Sequence, residues 1–315
     1  MNLSPLPLHI PDGFLNLIVS VVSWIITIVL VGIAIRRSRI EVNERQIPFM
    51  GIMAAFIFAA QMINFPIAGG TSGHMLGGAL AAIILGPWTG MLVMTSVIAL
   101  QALLFQDGGL LVMGANILNM GLITSLIGFG LYRAVSNRSQ STRLTISGVA
   151  AWLSVIAGAL LTSIQLWLSG TSPARLVFPA MLGVHAVIGI GEALITVGAL
   201  AFLFQVRPDL VSVEKTEAHG DYKWVVGGIL ISIIIVILSP LASINPDGLE
   251  RVAGDLEFLF LGQESPYELL PDYNIPVLGD SGLSTILAGF IGILLVFIIT
   301  YGIGRGLKHR KNSAP

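Results

Sequence analysis

The chain has 315 residues, of which 55% are hydrophobic and only 10% charged, and its mean hydropathy is +0.89. This composition lies outside the usual range of soluble globular proteins and predicts a chain solvated by a lipid bilayer. The formal net charge of −1 gives no electrostatic basis for nucleic acid as a partner. Cysteine is absent, which excludes disulfides, thiolate metal sites, iron–sulfur clusters and cysteine nucleophiles.

Long uncharged apolar runs predict an all-α polytopic membrane protein. A helix crosses about 30 Å of hydrocarbon with roughly 20 residues. Six runs are long enough: Leu15–Ile35, Leu110–Tyr132, Leu144–Leu168, Leu176–Phe204, Trp224–Ile244 and Leu283–Tyr301. Between the first two runs, glycine and proline interrupt another apolar stretch. We interpret it as three shorter crossing helices: Ile47–Ile63, Met75–Leu85 and Trp88–Phe105.

These predicted helices fall into two units. Residues 1–205 form a seven-helix unit with short loops. Residues 224–311 form a two-helix transmembrane hairpin, and its connecting loop, Asn245–Gly282, is long and acidic. Residues 206–223 are polar, as expected of a linker between units that are able to exist as separate chains.

The orientation follows from the rule that Lys and Arg collect at cytoplasmic ends of membrane helices. With the N-terminus outside, only Arg175 and Arg251 lie outside, and the other 14 of the 16 basic residues lie inside: Arg36, Arg37, Arg39, Arg45, Arg133, Arg138, Arg143, Arg207, Lys215, Lys223, Arg305, Lys308, Arg310 and Lys311. The C-terminus is then cytoplasmic. His9, Asn64–His74, Asp107 and the acidic loop share the outer side.

Two histidines on this outer side are candidate metal ligands. His9 precedes a Pro-Asp-Gly turn before the first helix, and His74 closes a glycine-rich segment before another helix. We expect Asn64, Thr71 and Ser72 to orient a ligating imidazole, since the glycines allow close backbone approach. A glycine-rich loop with one histidine is, however, more often an ordinary connector, and the pattern alone leaves both interpretations open.

The other three histidines are interpreted separately. His185 and Glu192 lie seven residues apart on one helix face within the membrane, where ionisable groups are functional candidates. They either form an ion path or bond to each other or to backbone groups and so stabilise helix packing. His219 and His309 lie in charged segments and are expected to be solvated. The sequence has no HExxH, P-loop or GxSxG motif.

Several motifs together resemble the CbiM/NikM family, the substrate-capture (S) components of nickel and cobalt energy-coupling-factor (ECF) transporters. They are QMINFP at 61–66, GGTSGH at 69–74, LGGALAA at 76–82, LGPW at 85–88, QALLF at 101–105, DGG at 107–109 and GAN at 114–116. The PDGLE run at 246–250 is similar to the N-type component of these systems. The resemblance implies a metal-capture domain at 1–205, a cytoplasmic linker, and a fused N-type hairpin at 224–311.

The resemblance also implies a metal site. In the family, the free N-terminal amine, the amide and imidazole of a histidine in position two, and a loop imidazole bind the metal in a square plane. His9 and His74 match the two histidines. Leu8 supplies the amine only if residues 1–7 are removed; otherwise the start differs, or the Leu8 carbonyl or a water replaces the amine. Ni²⁺ or Co²⁺ is the transported substrate and no prosthetic group is implied; the PDGLE resemblance favours nickel, but the choice stays open.

The implied function is capture of the metal on the extracytoplasmic side of a prokaryotic plasma membrane. The chain has no ATP-binding motif, so it is not expected to be an enzyme. The family implies a transmembrane coupling (T) subunit and cytoplasmic ATPase subunits as partners, besides membrane lipid. The acidic loop either attracts cations by its local field or is a solvated linker.

Two other functions stay open. One is a stand-alone secondary divalent-cation transporter that uses His185 and Glu192 as a proton relay. The other is a membrane metal-dependent hydrolase. A hydrolase needs a general base, and the sequence indicates no carboxylate beside the two outer histidines, with Asp12 and Asp107 the nearest candidates.

Overall fold

The computed structural model describes residues 8–44, 46–206 and 223–312. These ranges do not include residues 1–7, whose removal is one of the alternatives left open above. They also exclude His219 and most of the predicted linker at 206–223. Three of the basic residues that predict the orientation, Arg45, Arg207 and Lys215, lie outside them as well.

The described chain is an all-α polytopic membrane protein, as predicted. Within the described ranges, the helices are α1 (Leu17–Glu41), α2 (Gln46–Gln61), α3 (Gly78–Leu85), α4 (Pro87–Leu104), α5 (Met113–Ala134), α6 (Gln140–Leu168), α7 (Ala174–Val206), α8 (Lys223–Leu238), α9 (Gly248–Asp255) and α10 (Gly282–Asn312). Six of these, α1, α4, α5, α6, α7 and α10, are long and apolar enough to cross a membrane.

Helix α1 has the inside-out pattern that a lipid solvent favours. Its buried residues are small and mostly polar: Ser20, Ser23, Thr27, Ala34 and Ser38. Its exposed residues are large and apolar, and Leu17 and Ile18 are 69% and 74% exposed. Small residues let membrane helices approach closely, while large apolar side chains meet lipid at no cost.

Three segments differ from the sequence prediction. The run Trp224–Ile244, predicted to cross, is helical in α8 only to Leu238, so it is shorter than the six long apolar helices. The segment predicted as a helix over Met75–Leu85 is helical only from Gly78, because Gly77 has a left-handed backbone with φ +83°. At about 1.5 Å per residue, the 8 residues of α3 span about 12 Å, too short to cross a bilayer alone. The glycine-rich segment before it is a β-hairpin rather than an irregular loop. Its strands are β1 (Phe65–Ile67) and β2 (Thr71–Gly73).

Helix α5 contains a seven-residue π-helical segment, Ile117–Ile123, in its interior. Such segments are rare and occur frequently at functional sites, since the extra residue re-aims side chains. Here the segment includes Asn119, whose side chain exchanges hydrogen bonds with Gln165 of α6 at 2.7 and 3.0 Å. The sequence does not predict this feature.

The two predicted units share one apolar core. Helix α2 lies against α8 and α10 as well as against α4. The packing is tight, because a Cβ added at Gly292 of α10 would lie 2.1 Å from the ring of Phe58. A Cβ at Gly228 of α8 would lie 2.4 Å from Ile52.

The segment between α8 and α10 covers one end of the first unit. Four backbone hydrogen bonds join them: Ser243 N to Asn64 O at 2.8 Å, Ser72 N to Pro246 O at 2.8 Å, Gln263 N to Asp12 O at 2.8 Å, and Leu270 N to Leu104 O at 3.1 Å. The same end carries His9 and the β-hairpin. We call it the loop end.

Candidate metal site

Side chains from distant parts of the chain hold the N-terminal segment that carries His9. Asn116 of α5 accepts a hydrogen bond from Ile10 N through Oδ1 and donates to Ile10 O through Nδ2, both at 3.0 Å. Gly109 N also donates to Ile10 O, at 2.9 Å. The backbone of Ile10 is therefore fixed at both polar atoms, which sets where the preceding His9 lies.

Asp107 orients the His9 ring. His9 Nδ1 lies 3.0 Å from Asp107 O and 3.7 Å from Asp107 Oδ1. Because a carbonyl oxygen can only accept, Nδ1 carries the proton and Nε2 carries the lone pair. His9 is 2% exposed, and its Nε2 has no hydrogen-bond partner. The ring thus presents a buried, unused nitrogen donor.

The imidazole of His74 is held in the same tautomer. Its Nδ1 lies 3.1 Å from Met75 O, so Nε2 is again the lone-pair atom. Burial and the neighbouring His9 lower the pKa of His74 from 6.5 to about 4, which keeps the ring neutral at pH 7. Glu192 of α7 fixes the next turn of chain, accepting from Leu76 N at 2.7 Å and Gly77 N at 2.8 Å.

The two imidazoles lie together beside one cavity of about 60 Å³. The His9 and His74 ring centroids are 5.6 Å apart, in an edge-to-face arrangement. Leu8 and His185 also line the cavity. His185 Nδ1 bonds to Met181 O at 2.8 Å, which makes it a third imidazole with a proton-free Nε2. His185 and Glu192 each bond to backbone groups, in line with the packing interpretation of the pair.

The side chains alone do not complete a coordination sphere. Within the described ranges, no group of three or more His, Asp or Glu side chains is arranged to hold a metal ion. Two imidazoles leave further positions to be filled by backbone or terminal nitrogen, or by water. The backbone amide of His9 and the nitrogen of Leu8, immediately before it, adjoin the cavity.

Carboxylates do lie beside the histidines, and the sequence argument against a hydrolase was wrong on this point. Asp107 contacts His9, and Asp247 lines the cavity. Asp247 is buried and accepts from Glu250 N at 2.7 Å, capping α9. Burial raises the pKa of Asp247 from 3.8 to about 8, so its carboxyl group is mostly protonated at pH 7.

The acidic loop contributes an aromatic residue at this end. The hydroxyl of Tyr273 donates to Asp107 Oδ2 at 2.5 Å and accepts from Gln101 Nε2 at 3.1 Å. Burial and the charge of Asp107 raise the pKa of the Tyr273 phenol well above 10, so it remains a donor. At least this part of the acidic loop is therefore packed structure rather than a solvated linker.

The predicted orienting residues have other partners. Ser72 Oγ donates to Asn245 O at 2.8 Å, which ties the hairpin to the acidic loop rather than to an imidazole. Thr71 is buried in β2, where it pairs with Ile67. Asn64 accepts from Ser243 N through its backbone oxygen. Asp107 and Met75 supply the contacts that we expected from these three residues.

Comparison with known families identifies the chain. A family model described as the cobalt uptake substrate-specific transmembrane region, CbiM, matches residues 9–210. The chain belongs to the CbiM family. A second model, the PDGLE domain, matches residues 222–309, so this CbiM-family member carries a PDGLE region behind the first unit.

Individual relatives agree with this assignment. A protein of Archaeoglobus fulgidus that bears the name fused nickel transport protein NikMN is 34% identical over 302 residues, 95% of this chain and 98% of the relative. A protein of Haloquadratum walsbyi named as a metal transport protein is 41% identical over 220 residues, 69% of this chain and 100% of the relative. A crystal structure of a truncated transition metal transporter is 33% identical, with a TM-score of 0.57, over 63% of this chain and 99% of that chain.

Sequence reasoning missed three residues that the structure brings to the site. Asp107 was expected on the same side as His9 and was one of the two nearest candidate carboxylates, but its contact with His9 was not predicted. Asp247 belongs to the PDGLE run, which is the signal that could have selected it. Tyr273 has no comparable signal, because its partner Asp107 is 166 positions away.

Proposed function

We propose that this chain captures Ni²⁺ or Co²⁺ on the extracytoplasmic side of a prokaryotic plasma membrane, as the S component of an ATP-driven ECF transporter. The observation that carries the proposal is the convergence of His9 and His74 on one cavity, with both Nδ1 atoms bonded to carbonyl oxygens. The relative named for nickel transport and the family model described for cobalt uptake support these two ions as the substrate.

The site chemistry suits these ions. Neutral imidazole nitrogens are good donors to Ni²⁺ and Co²⁺. When Nε2 binds a cation, positive charge develops on the ring, and a carboxylate beside Nδ1 stabilises that charge. Asp107 has this position relative to His9, with Oδ1 at 3.7 Å from Nδ1. Only His9 has a carboxylate contact of this kind; His74 bonds to a backbone carbonyl.

Leu8 completes the proposed donor set if residues 1–7 are removed. Its free amine, the His9 amide and imidazole, and the His74 imidazole would then give four nitrogens. A square plane of nitrogens favours Ni²⁺ or Cu²⁺ over most divalent ions. Amine and amide must both lose protons, so capture should weaken as pH falls.

Release of the metal into the cytoplasm requires energy that this chain has no motif to supply. We propose that a T subunit and cytoplasmic ATPase subunits provide it, with the loop end facing outward. A stand-alone secondary transporter with a His185–Glu192 relay is less well supported, because both Glu192 carboxylate oxygens already accept hydrogen bonds from backbone amides. Metal uptake into liposomes without any ATPase would favour that alternative.

Native mass spectrometry of the purified full chain, titrated with NiCl₂ and CoCl₂, tests the site. His9→Ala and His74→Ala should each abolish tight binding, whereas His309→Ala, on α10 away from the cavity, should bind as the parent does. Parent-like binding by both site variants would refute the proposal. The same spectra report the mature N-terminus. If residues 1–7 are present, their removal should raise the affinity, and an unchanged affinity would refute the role of the Leu8 amine.

A further inference from the structure

The acidic loop inserts Tyr273 into the first unit directly behind His9. The ring stacks on Phe105, with centroids 4.8 Å apart and planes inclined by 21°, and meets Phe58 at 6.0 Å. Its hydroxyl is the only polar atom at the end of the side chain, and this atom bonds to Asp107 Oδ2 and Gln101 Nε2. The aromatic contacts fix the position of the ring, and the hydroxyl hydrogen-bonds to Asp107.

Backbone strain collects at this contact. Among the described residues, the non-glycine residues with positive φ are Gln106, Glu257, Asp272 and Tyr273. Three of these four lie at the contact: Asp272 and Tyr273 in the loop, and Gln106 next to Asp107. A left-handed backbone is unfavourable for a residue with a side chain, because its Cβ lies too close to the following carbonyl oxygen. Residues in such conformations persist where surrounding contacts require them, and they cluster at functional sites.

We propose that Tyr273 is a positioning residue for metal capture: its hydroxyl fixes the Asp107 carboxylate, and Asp107 in turn fixes the imidazole of His9. The inference rests on the proposed function and deepens it. The second unit, which lines the cavity with Asp247, then also supports the His9 imidazole through a hydrogen bond that crosses between the units.

The two carboxylate oxygens of Asp107 have different roles. Asp107 uses Oδ2 to accept from Tyr273, and its Oδ1 has no hydrogen-bond partner. This leaves Oδ1 beside the His9 Nδ1–H, while the backbone oxygen of the same residue accepts from that N–H. Without the Tyr273 hydroxyl, Oδ2 is a buried acceptor with no donor. We expect the freed carboxylate to move relative to the His9 Nδ1–H, which lies 3.7 Å from Oδ1, and the imidazole to move with it.

The loop offers a matched control in Tyr267. Its hydroxyl donates to a backbone oxygen, Leu103 O, at 2.8 Å, so it also ties the loop to the end of α4. None of the hydrogen bonds described between the loop and the first unit joins Tyr267 to Asp107. Tyr267→Phe and Tyr273→Phe each remove one hydroxyl that joins the loop to this end, but only Tyr273→Phe releases Asp107, together with Gln101.

The experiment measures Ni²⁺ binding to the purified full chain by titration with NiCl₂, together with the ligand-field absorption of the bound ion. Tyr273→Phe should weaken Ni²⁺ binding roughly 10-fold, the usual effect of losing a partner behind a metal-bound imidazole. It should also shift the ligand-field band, which depends on the donor geometry. Tyr267→Phe should bind within about twofold of the parent, with an unshifted band.

A double-variant cycle tests the route through Asp107. Asp107→Asn should weaken binding at least as much as Tyr273→Phe, and the double variant should bind as Asp107→Asn does. If the effects of Tyr273→Phe and Asp107→Asn on the affinity multiply in the double variant, the inference is overturned and the proposed function stays intact. The same holds if Tyr273→Phe and Tyr267→Phe weaken binding equally. A parent chain that binds neither NiCl₂ nor CoCl₂ would overturn both.

Discussion

The segment that carries His74 and the segment that carries His9 are fixed in different ways. His74 follows a β-hairpin whose strands pair within nine residues, Phe65 with Gly73, around a turn at Gly69 and Gly70. His9 lies on an N-terminal segment whose main clamp, Asn116, is 106 positions away. One imidazole depends first on local structure, and the other depends on the assembled fold. Damage to remote residues should therefore affect His9 before His74.

Asn116→Ala should have the largest effect. It removes both hydrogen bonds to Ile10, and Ile10 N loses its partner. Two buried hydrogen bonds contribute about 1–1.5 kcal/mol each. A loss of about 2–3 kcal/mol corresponds to roughly 30- to 150-fold weaker Ni²⁺ binding. Titration with NiCl₂ measures the affinity, and hydrogen exchange should show lost protection at residues 8–12 with the hairpin unchanged. Equal loss in the hairpin would contradict independent fixation.

The same contrast explains what the sequence could predict. Helix spans followed from apolar runs, since each run is a local property, and the joint placement of His9 and His74 followed from counting crossings. The β-hairpin was missed because three-residue strands lie below the length at which a period of two is visible. The partner of His9 was missed because Asp107 reaches it through loop packing that no local pattern encodes. The PDGLE run was recognised as a motif, but its Asp247 could not be located beside the cavity.

Gly108→Ala should have the next largest effect, again on His9. Gly108 has φ +105°, and an added Cβ would lie 2.9 Å from Asn116 Nδ2 and 3.0 Å from His9 Cβ. The left-handed backbone costs about 1–2 kcal/mol, and the crowding adds to it. We expect roughly 30-fold weaker Ni²⁺ binding by titration.

A second glycine separates strain from crowding. Gly170 has φ +75°, with no atom within 4 Å of an added Cβ. Gly170→Ala should have a similar strain cost and therefore lower the melting temperature. It should leave the Ni²⁺ affinity within about twofold of the parent. If both variants weaken binding alike, general destabilisation explains the result, and the contact between Gly108 and His9 does not.

Glu192→Gln should have the smallest effect, and it acts on His74 alone. The carboxylate accepts from two consecutive amides, Leu76 N and Gly77 N, directly after His74. A glutamine has the same shape but only one acceptor atom, so one amide loses its partner and meets an NH₂ group instead. The cost of about 1–2 kcal/mol should be shared between the start of α3 and the His74 loop, giving roughly fivefold weaker Ni²⁺ binding.

Hydrogen exchange distinguishes this variant from the two that act on His9. Protection should fall at residues 74–78 and stay unchanged at residues 8–12, the reverse of the pattern for Asn116→Ala. In the His74→Ala background, Glu192→Gln should cause no further loss of Ni²⁺ binding, because its route to the metal is already gone. A further loss would mean that Glu192 acts on the cavity through α7, and then His185, about two turns away on the same face of α7, would be the residue to test next.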